Sequence, residues 1–467
     1  MKKTKIIASI GPSSLKWDVF KEMVNSGMNV ARINFSHSDF NGCKEIVDLV
    51  LKARKELNAN IGILYDTKGP DLRTCEFRND KIDLVEGRSI RIVKNRCLGT
   101  DKRISLNYPN VINKLEVGQF VLLDDGFYKL KVTSKDKDGV NCKILNSGTI
   151  KSRRGVCIPG VDLEIPFLSK EDVDDIKFAC KNECDYLALS FVSCKEDVLD
   201  VREILERNKR PDIKIISKIE SKNGIDNLDD IIEVSDYIMI ARGDLSTEVG
   251  YDKLPLYQDR IIDKCHRNSC GVIMATQMMY SMKRNIRPTN AEVNDVANAI
   301  KSGCDAIMTS EETTVGMYPV ETIKNMSLIC NSVEPITKYN LNDYKLFGSK
   351  VHNTMVELAV TGTTNLNIKA IVCNTKTGNL AQDISYVRPD SIILALTSDN
   401  KVYNELSLKW GVYSHIIDEV DNTDELVKIG KKVAKEELSL KKGDLIMVIG
   451  GIPITGHTNF IKIEEID

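Results

Sequence analysis

Histidine is scarce in this chain of 467 residues: there are five, and none ends an apolar run. The thirteen cysteines include no Cys-x-x-Cys pair. The usual ligand sets for structural or catalytic zinc are therefore missing. An odd number of scattered cysteines also argues against a disulfide framework and fits small core-filling residues in a reducing, cytoplasmic setting. No apolar run approaches the ~20 residues that cross a bilayer. The opening "MKKTKIIASIGP" starts like a signal peptide, but its short apolar stretch runs straight into Gly11 and Pro12, so it reads as a first strand and turn. Charge of one sign is lacking too, with 65 basic residues against 67 acidic ones and a formal net charge of −2. That balance argues against nucleic acid or an anionic membrane as the main partner. There is no GxxxxGK[ST] loop and no Gly-x-Gly-x-x-Gly after a strand, and "DGF" at 125–127 has no His-Arg-Asp beside it. A nucleotide, if bound, is held in some other way.

The chain does have a strong βα rhythm. With 42% hydrophobic and 28% charged residues it has the composition of a globular protein, long enough for two to four domains. Strands at 4–10, 29–36 and 61–67 alternate with helices at 13–27, after a serine start signal, and at 44–57. From Lys68 to about Pro166 the rhythm stops, and short alternating runs with Asp-Gly turns at 125–126 and 138–139 predict a compact β unit of hairpins. Strands then resume at 185–192, 213–220, 236–244, 271–277 and 305–312, and a helix follows at 318–334. Three strands plus five make the eight of a TIM (β/α)8 barrel with a small β-barrel lid inserted after strand 3. The rival is an open doubly wound sheet. A C-terminal α/β domain has strands at 370–374, 391–398, 444–451 and 459–466. The expected boundaries are 1–69 and 167–335 for the barrel, 70–166 for the insert and 336–467 for the C-terminal domain.

Charged and polar side chains gather where these strands end. Residues two apart in a strand share a face, so Lys218 and Glu220 point together, and Arg242 and Asp244 are expected to do the same. Arg32, Asn34 and Ser36 close strand 2, Asp66 and Thr67 strand 3, Thr276 strand 7, and Ser310 and Glu312 strand 8. A single polar strand end meeting water is unremarkable. Many on one barrel would converge on the mouth where such barrels build active sites. Glu220 and Asp244 are hard oxygen donors of the kind Mg²⁺ takes. Asn34, Ser36, Asp66 and Thr67 offer oxygen acceptors with one charge, suited to a monovalent cation. Arg32, Lys218 and Arg73 are cations suited to phosphate. A divalent metal and cations without a nucleophile or histidine base point to phosphoryl transfer.

Beyond those residues, the stretches "TKIIASIGPSS", "ARINFSHS", "YDTKGPDLRT", "RRGVCIPG", "IISKIES", "IMIARGDL", "VIMATQMMYSM" with "RPTNAEVNDVANAI", and "MTSEETTVGMYP" resemble the pyruvate kinase family along essentially the whole chain. The resemblance implies transfer of the phosphoryl group of phosphoenolpyruvate to ADP, giving ATP and pyruvate at the last step of glycolysis. It implies that Glu220 and Asp244 hold Mg²⁺ or Mn²⁺ and that Asn34, Ser36, Asp66 and Thr67 hold K⁺. Lys218 would neutralise the moving phosphoryl group and the enolate, and Arg32 would hold the phosphoryl group. The backbone at Gly243 and Asp244, with Thr276, would hold the substrate carboxylate, and Thr276 would orient the protonating water. Arg73 and Arg154 would meet nucleotide phosphates, with the insert closing as a lid. The family also implies a homotetramer and an effector site for a sugar phosphate or nucleotide in the C-terminal domain.

This chain departs from the family pattern in places. Asp71 stands where many members carry Glu, and Arg154 replaces a common Lys. In "SEET" (310–313) Glu311 replaces Gly, which would strain the backbone if that position needs a positive φ. The effector loop reads "NTKTGNLAQ" (374–382), and the later "GGIPITGHTN" is shorter than the common form. Two rival functions remain: another TIM-barrel enzyme acting on phosphoenolpyruvate or an enolate, and a decayed paralogue serving as a metabolite-binding regulator or scaffold. The second should have lost at least one of Arg32, Lys218, Glu220, Asp244 or Thr276, and all five are present.

Overall fold

The first apolar run of the chain pairs with one more than three hundred residues later, and that pairing closes a barrel. A computed structural model describes residues 1–161, 163–339, 344–420, 422–451 and 457–467. The barrel begins with β1 (Lys5–Ser9), β2 (Val30–Asn34) and β3 (Gly62–Asp66). The insertion carries β4 (Lys81–Leu84), β5 (Ser89–Val93), β6 (Arg103–Ser105), β7 (Phe120–Leu123), β8 (Tyr128–Asp136), β9 (Gly139–Ile144), β10 (Gly148–Lys151) and β11 (Val156–Cys157). The barrel resumes with β12 (Tyr186–Leu189), β13 (Lys214–Ile219), β14 (Tyr237–Ala241), β15 (Gly271–Ala275) and β16 (Ala306–Thr309). Last come β17 (Ala370–Asn374), β18 (Ile392–Thr397), β19 (Val412–Ile416), β20 (Leu445–Gly451) and β21 (Thr458–Glu465).

Eight parallel strands close in the order β1-β16-β15-β14-β13-β12-β3-β2. The open-sheet rival is thereby excluded. Inside, Ile7, Val30, Leu64, Ala188, Ile216, Met239, Ile273 and Met308 pack with Tyr186 and Tyr237 into one hydrophobic core. Leu408, from the C-terminal part of the chain, completes that core, so the barrel is packed solid rather than open. A larger core lies between the strands and the surrounding helices. The insert is a six-stranded sheet, β11-β7-β8-β9-β5-β6, with a β10-β4 ribbon, around a core of its own. Both expected Asp-Gly turns join its hairpins. The chain leaves the barrel for the insert through Gly69, whose φ of +65° and approach to Ser190 leave no room for a Cβ. The C-terminal sheet has the order β19-β18-β17-β20-β21, with β21 antiparallel and cores on both faces.

Two local expectations need correction. The first helix runs Trp17–Asn25 without a side-chain cap, starting after the serines. Ser14 instead closes a tight turn, accepting from the N–H of Gly11 at 3.0 Å. Strand β19 is absent from the sequence reading, because "VYSHI" is an edge strand whose Ser and His interrupt the apolar run that marks its buried neighbours.

Candidate active site

Strand alternation builds the site directly on top of the barrel core. Positions 7, 30, 64, 188 and 216 point inward as apolar groups. Two residues further on, the same faces carry Ser9, Arg32, Asp66, Ser190 and Lys218, all buried, and Glu220 follows at the end of β13. The result is one polar layer at the C-terminal end of the strands, open to a cavity of about 330 Å³. Arg32, Asn34, Ser36, Asp66, Thr67, Arg73, Arg154, Lys218, Glu220, Asp244 and Thr276 all line that cavity.

Asp66 is the hub of the layer. Its Oδ2 accepts from Arg32 Nε at 2.7 Å, and its Oδ1 lies 3.2 Å from Lys218 Nζ. Arg32 also donates to Ser9 Oγ at 2.7 Å. Lys218 donates to Ser190 Oγ at 2.7 Å and pairs with Glu220 Oε1 at 3.2 Å. The other Glu220 oxygen accepts from the N–H of Phe191 at 2.6 Å. Burial would lower the Lys218 pKa, but Asp66 and Glu220 outweigh it and hold the ammonium above its ordinary range. For Asp66 burial pulls the other way and is likewise outweighed, by Arg32 and Lys218, so its pKa is lowered.

The two metal-ligand candidates behave differently. Burial raises the Glu220 pKa despite Lys218 and the Phe191 N–H. Asp244 is pushed up to about 7, first by desolvation within the cleft and then by Glu220. Its carboxylate faces the open cavity, and no hydrogen bond or ion pair ties it down among the described residues. Two neighbouring carboxyls that are both pushed towards the protonated form are the arrangement a divalent cation relieves. The donor set therefore fits such an ion. Asn34, Ser36, Asp66 and Thr67 also share one corner of the cavity, with Asn34 Oδ1 accepting from the N–H of Ser36 at 2.9 Å. This all-oxygen group fits a monovalent cation.

Arg242 and Asp244 do not share a face. Strand β14 ends at Ala241 and a helix, Arg242–Val249, follows at once. At about 100° per residue, positions two apart on a helix diverge by about 200°. Arg242 turns away from the cavity to pair with Asp295 at 2.7 Å and donates to the carbonyl of Thr276 at 2.5 Å. Thr276 itself sits at φ +66°, with Gln277 at +56°, a strained backbone for a β-branched residue. That conformation places Thr276 Oγ1 to accept from the N–H of Gly243 at 3.0 Å. Gly243 reaches the site through this bond.

Glu312 is also turned inward. It is buried and ties the loops after β15 and β16 together, accepting from the N–H groups of Met279 and Ser310. Glu311 is not among the positive-φ residues, so the replacement of Gly brings no backbone strain. Its carboxylate lines the cavity and pairs with Lys283. On the insert, Arg73 pairs with Asp71 at 2.5 Å and Arg154 with Asp124 at 3.5 Å. An antiparallel bridge between Arg73 and Gly155 holds the two arginines side by side above the barrel. Ser9, Ser190 and His37 were not singled out from sequence. Ser9 ends β1 and Ser190 follows β12, each a polar residue that closes an apolar run, the same signal that marks the other strand ends.

The pyruvate kinase barrel-domain family model matches residues 1–323, through both halves of the barrel and the insert, and the pyruvate kinase alpha/beta-domain model matches residues 353–464. The chain belongs to the pyruvate kinase family. Its activity is that of a pyruvate kinase. A pyruvate kinase of Staphylococcus epidermidis is 42% identical over 470 residues, which cover 99% of this chain and 80% of that protein. One from Staphylococcus aureus is 41% identical over 470 residues with the same coverage. The crystal structure of a pyruvate kinase from Cryptosporidium parvum superposes with a TM-score of 0.93 at 33% identity, covering 100% of this chain and 96% of that one.

Proposed function

We propose that the cavity carries the phosphoryl group of phosphoenolpyruvate to ADP, yielding ATP and pyruvate. The observation that carries this reading is the convergence of Arg32, Lys218, Glu220, Asp244 and Thr276 on one cavity beneath two arginines of the insert. Arg32 and Lys218 hold the phosphoryl group as it moves, and Lys218 neutralises the enolate it leaves behind. The Gly243–Asp244 backbone and Thr276 hold the substrate carboxylate, and Thr276 orients the water that protonates the enolate. Arg73 and Arg154 meet the nucleotide phosphates. The family works with a divalent metal and K⁺. Here Glu220 and Asp244 would hold Mg²⁺ or Mn²⁺, and Asn34, Ser36, Asp66 and Thr67 would hold K⁺. The divalent ion supplies charge neutralisation on substrate oxygens. Residues 70–166 act as the lid that excludes water, and 1–69 with 167–335 as the catalytic barrel.

The C-terminal residues 336–467 bind an effector and join subunits. A cavity of about 460 Å³ lined by Thr375, Lys376, Thr377, His352 and Thr458 supports a site for a sugar phosphate or nucleotide. Part of the loop "GGIPITGHTN" lies outside the described residues. A homotetramer is supported by exposed Tyr251 and Leu256 on the barrel and by Val351 and Leu358 on the helix Lys350–Leu366. No described helix is long and apolar enough to cross a membrane. The substrates of glycolysis support a cytoplasmic location. The deciding assay is pyruvate and ATP formation from phosphoenolpyruvate and ADP with Mg²⁺ and K⁺ present. Absence of turnover by folded protein would overturn the reading, and sedimentation velocity tests the tetramer.

A further inference from the structure

The helix Arg242–Val249 carries two carboxylates one turn apart, Asp244 and Glu248, and positions four apart lie on one helical face. Asp244 faces the catalytic cavity. Glu248 reaches out of the barrel and meets the insert at two separate points. Its Oε2 accepts from Cys157 Sγ at 3.1 Å, and its Oε1 accepts from the N–H of Gly160 at 3.1 Å. Cys157 ends β11, the edge strand of the insert, which is paired with β7. Burial and the nearby carboxylate of Glu248 push its thiol pKa far up, so the S–H is present to donate. Gly160 holds φ +72° with open space around a would-be Cβ, so its backbone angle, rather than crowding, favours glycine there. A second cavity, about 180 Å³, opens beside this contact, with Leu122 and Ile158 of the insert on one side and Glu220 and Asp244 on the other.

We infer that Glu248 is the latch that seats the insert on the barrel, and thereby a positioning residue for phosphoryl transfer. This rests on the reading of the insert as a lid. One point of contact would let the insert pivot, whereas two donors on one carboxylate fix both its approach and its rotation. Because Glu248 and Asp244 ride on the same short helix, seating the insert registers Arg73 and Arg154 against the metal-binding end of the cavity. Without the latch, water reaches the phosphoryl group. The P–O bond to the enolate then breaks with transfer to water instead of ADP, giving inorganic phosphate and, after protonation, pyruvate, with no ATP and no redox change.

The test uses the full-length protein. Glu248→Ala is expected to lower kcat about tenfold with KM for phosphoenolpyruvate within about threefold, the loss of two charge-assisted hydrogen bonds being felt in the closed state. ATP formed per pyruvate should fall below one, and amides at 156–160 should exchange with solvent about tenfold faster. Glu248→Gln keeps one acceptor oxygen and puts an NH2 donor in place of the other, and Cys157→Ala removes one donor of two, so both should fall between Glu248→Ala and the wild type. Wild-type kcat and exchange in Glu248→Ala would overturn the latch. So would a loss of kcat with unchanged exchange and product ratio. If Glu248→Ala does not fold, Cys157→Ala decides alone, by the same ratio and exchange. Turnover by the wild-type protein tests the proposed function separately, so the two failures are distinct.

Discussion

Lys218 and Asp66 form a 3.2 Å ion pair between β13 and β3, and Asp66 spends its second oxygen on Arg32. The two cations that would face the phosphoryl group are thus held by one carboxylate lying deeper in the barrel. A buried cation is costly unless paired, and the pairing keeps Lys218 charged and pointed at the cavity. Its remaining contacts, to Ser190 and Glu220, leave little freedom for the ammonium to move.

Replacing this ammonium tests the assignment directly. A charge pair at ~4 Å and an effective dielectric of ~20 is worth about 4 kcal/mol, or up to roughly a thousandfold in rate. Lys218→Met is expected to lower kcat by about a hundred- to a thousandfold while phosphoenolpyruvate still binds, as read by calorimetry. Near-normal kcat would remove Lys218 from its role.

Divalent-ion affinity should depend on pH through Asp244. Desolvation first, and Glu220 second, hold its carboxyl at about 7. The proton and the metal compete for the same oxygens. Affinity should therefore climb as pH rises through 7 and level off above it, with up to about tenfold loss per unit below. Titration calorimetry should also detect a proton released on Mg²⁺ binding at pH 6.5. Asp244→Asn should weaken binding and flatten this profile; a wild-type profile that is already flat would contradict the coupling.

Exchange of K⁺ for Na⁺ should reduce turnover if Asn34, Ser36, Asp66 and Thr67 hold the monovalent ion. The expected loss is about tenfold or more, as for removal of one charge near the reacting group. Equal rates in K⁺, Na⁺ and a bulky organic cation would refute that assignment.

Thr276 trades stability for geometry. Its φ of +66° costs on the order of 1 kcal/mol or more, while Oγ1 anchors the N–H of Gly243. Thr276→Gly should relieve the strain, leaving the melting temperature unchanged or higher, yet lower kcat about tenfold. Thr276→Ala loses the hydroxyl and keeps the strain, so it should lose activity without the gain.

Asp175, in the helix Lys170–Lys181, provides a stability test remote from turnover. Burial, then Glu171 and Asp172, raise its pKa to about 7. A carboxyl raised in the folded state favours folding while protonated. That contribution is complete below the unfolded value near 4 and is lost as pH rises towards 7. Asp175→Asn should therefore raise the melting temperature at pH 8 by a few degrees and leave it nearly unchanged at pH 4. Equal shifts at both pH values would show that ionisation is not the cause.

Most of the site was legible because a strand repeats every two residues. Once "IKIISKIE" reads as a strand, Lys218 and Glu220 must share the face of Ile216. The same rule failed at "IARGD", where the change from strand to helix after Ala241 redirects Arg242 towards Asp295. Periodicity cannot announce the residue at which it changes. It also could not reveal that Glu311 sits unstrained against Lys283, since a φ angle depends on the packing of the loop around it.

By itself the sequence determined the eight βα units, the β insertion and the polar character of the strand ends, all of which follow from local patterning. Tertiary structure alone decided which ends meet. Arg32 and Asp66 are 34 residues apart, and Lys218 and Asp66 are 152 apart, yet one carboxylate serves both cations. Likewise only the folded chain brings Glu248 to Cys157 across 91 residues. Such contacts exist because closing the barrel, driven by burial of the apolar layers below, brings the polar ends of distant strands together in one place.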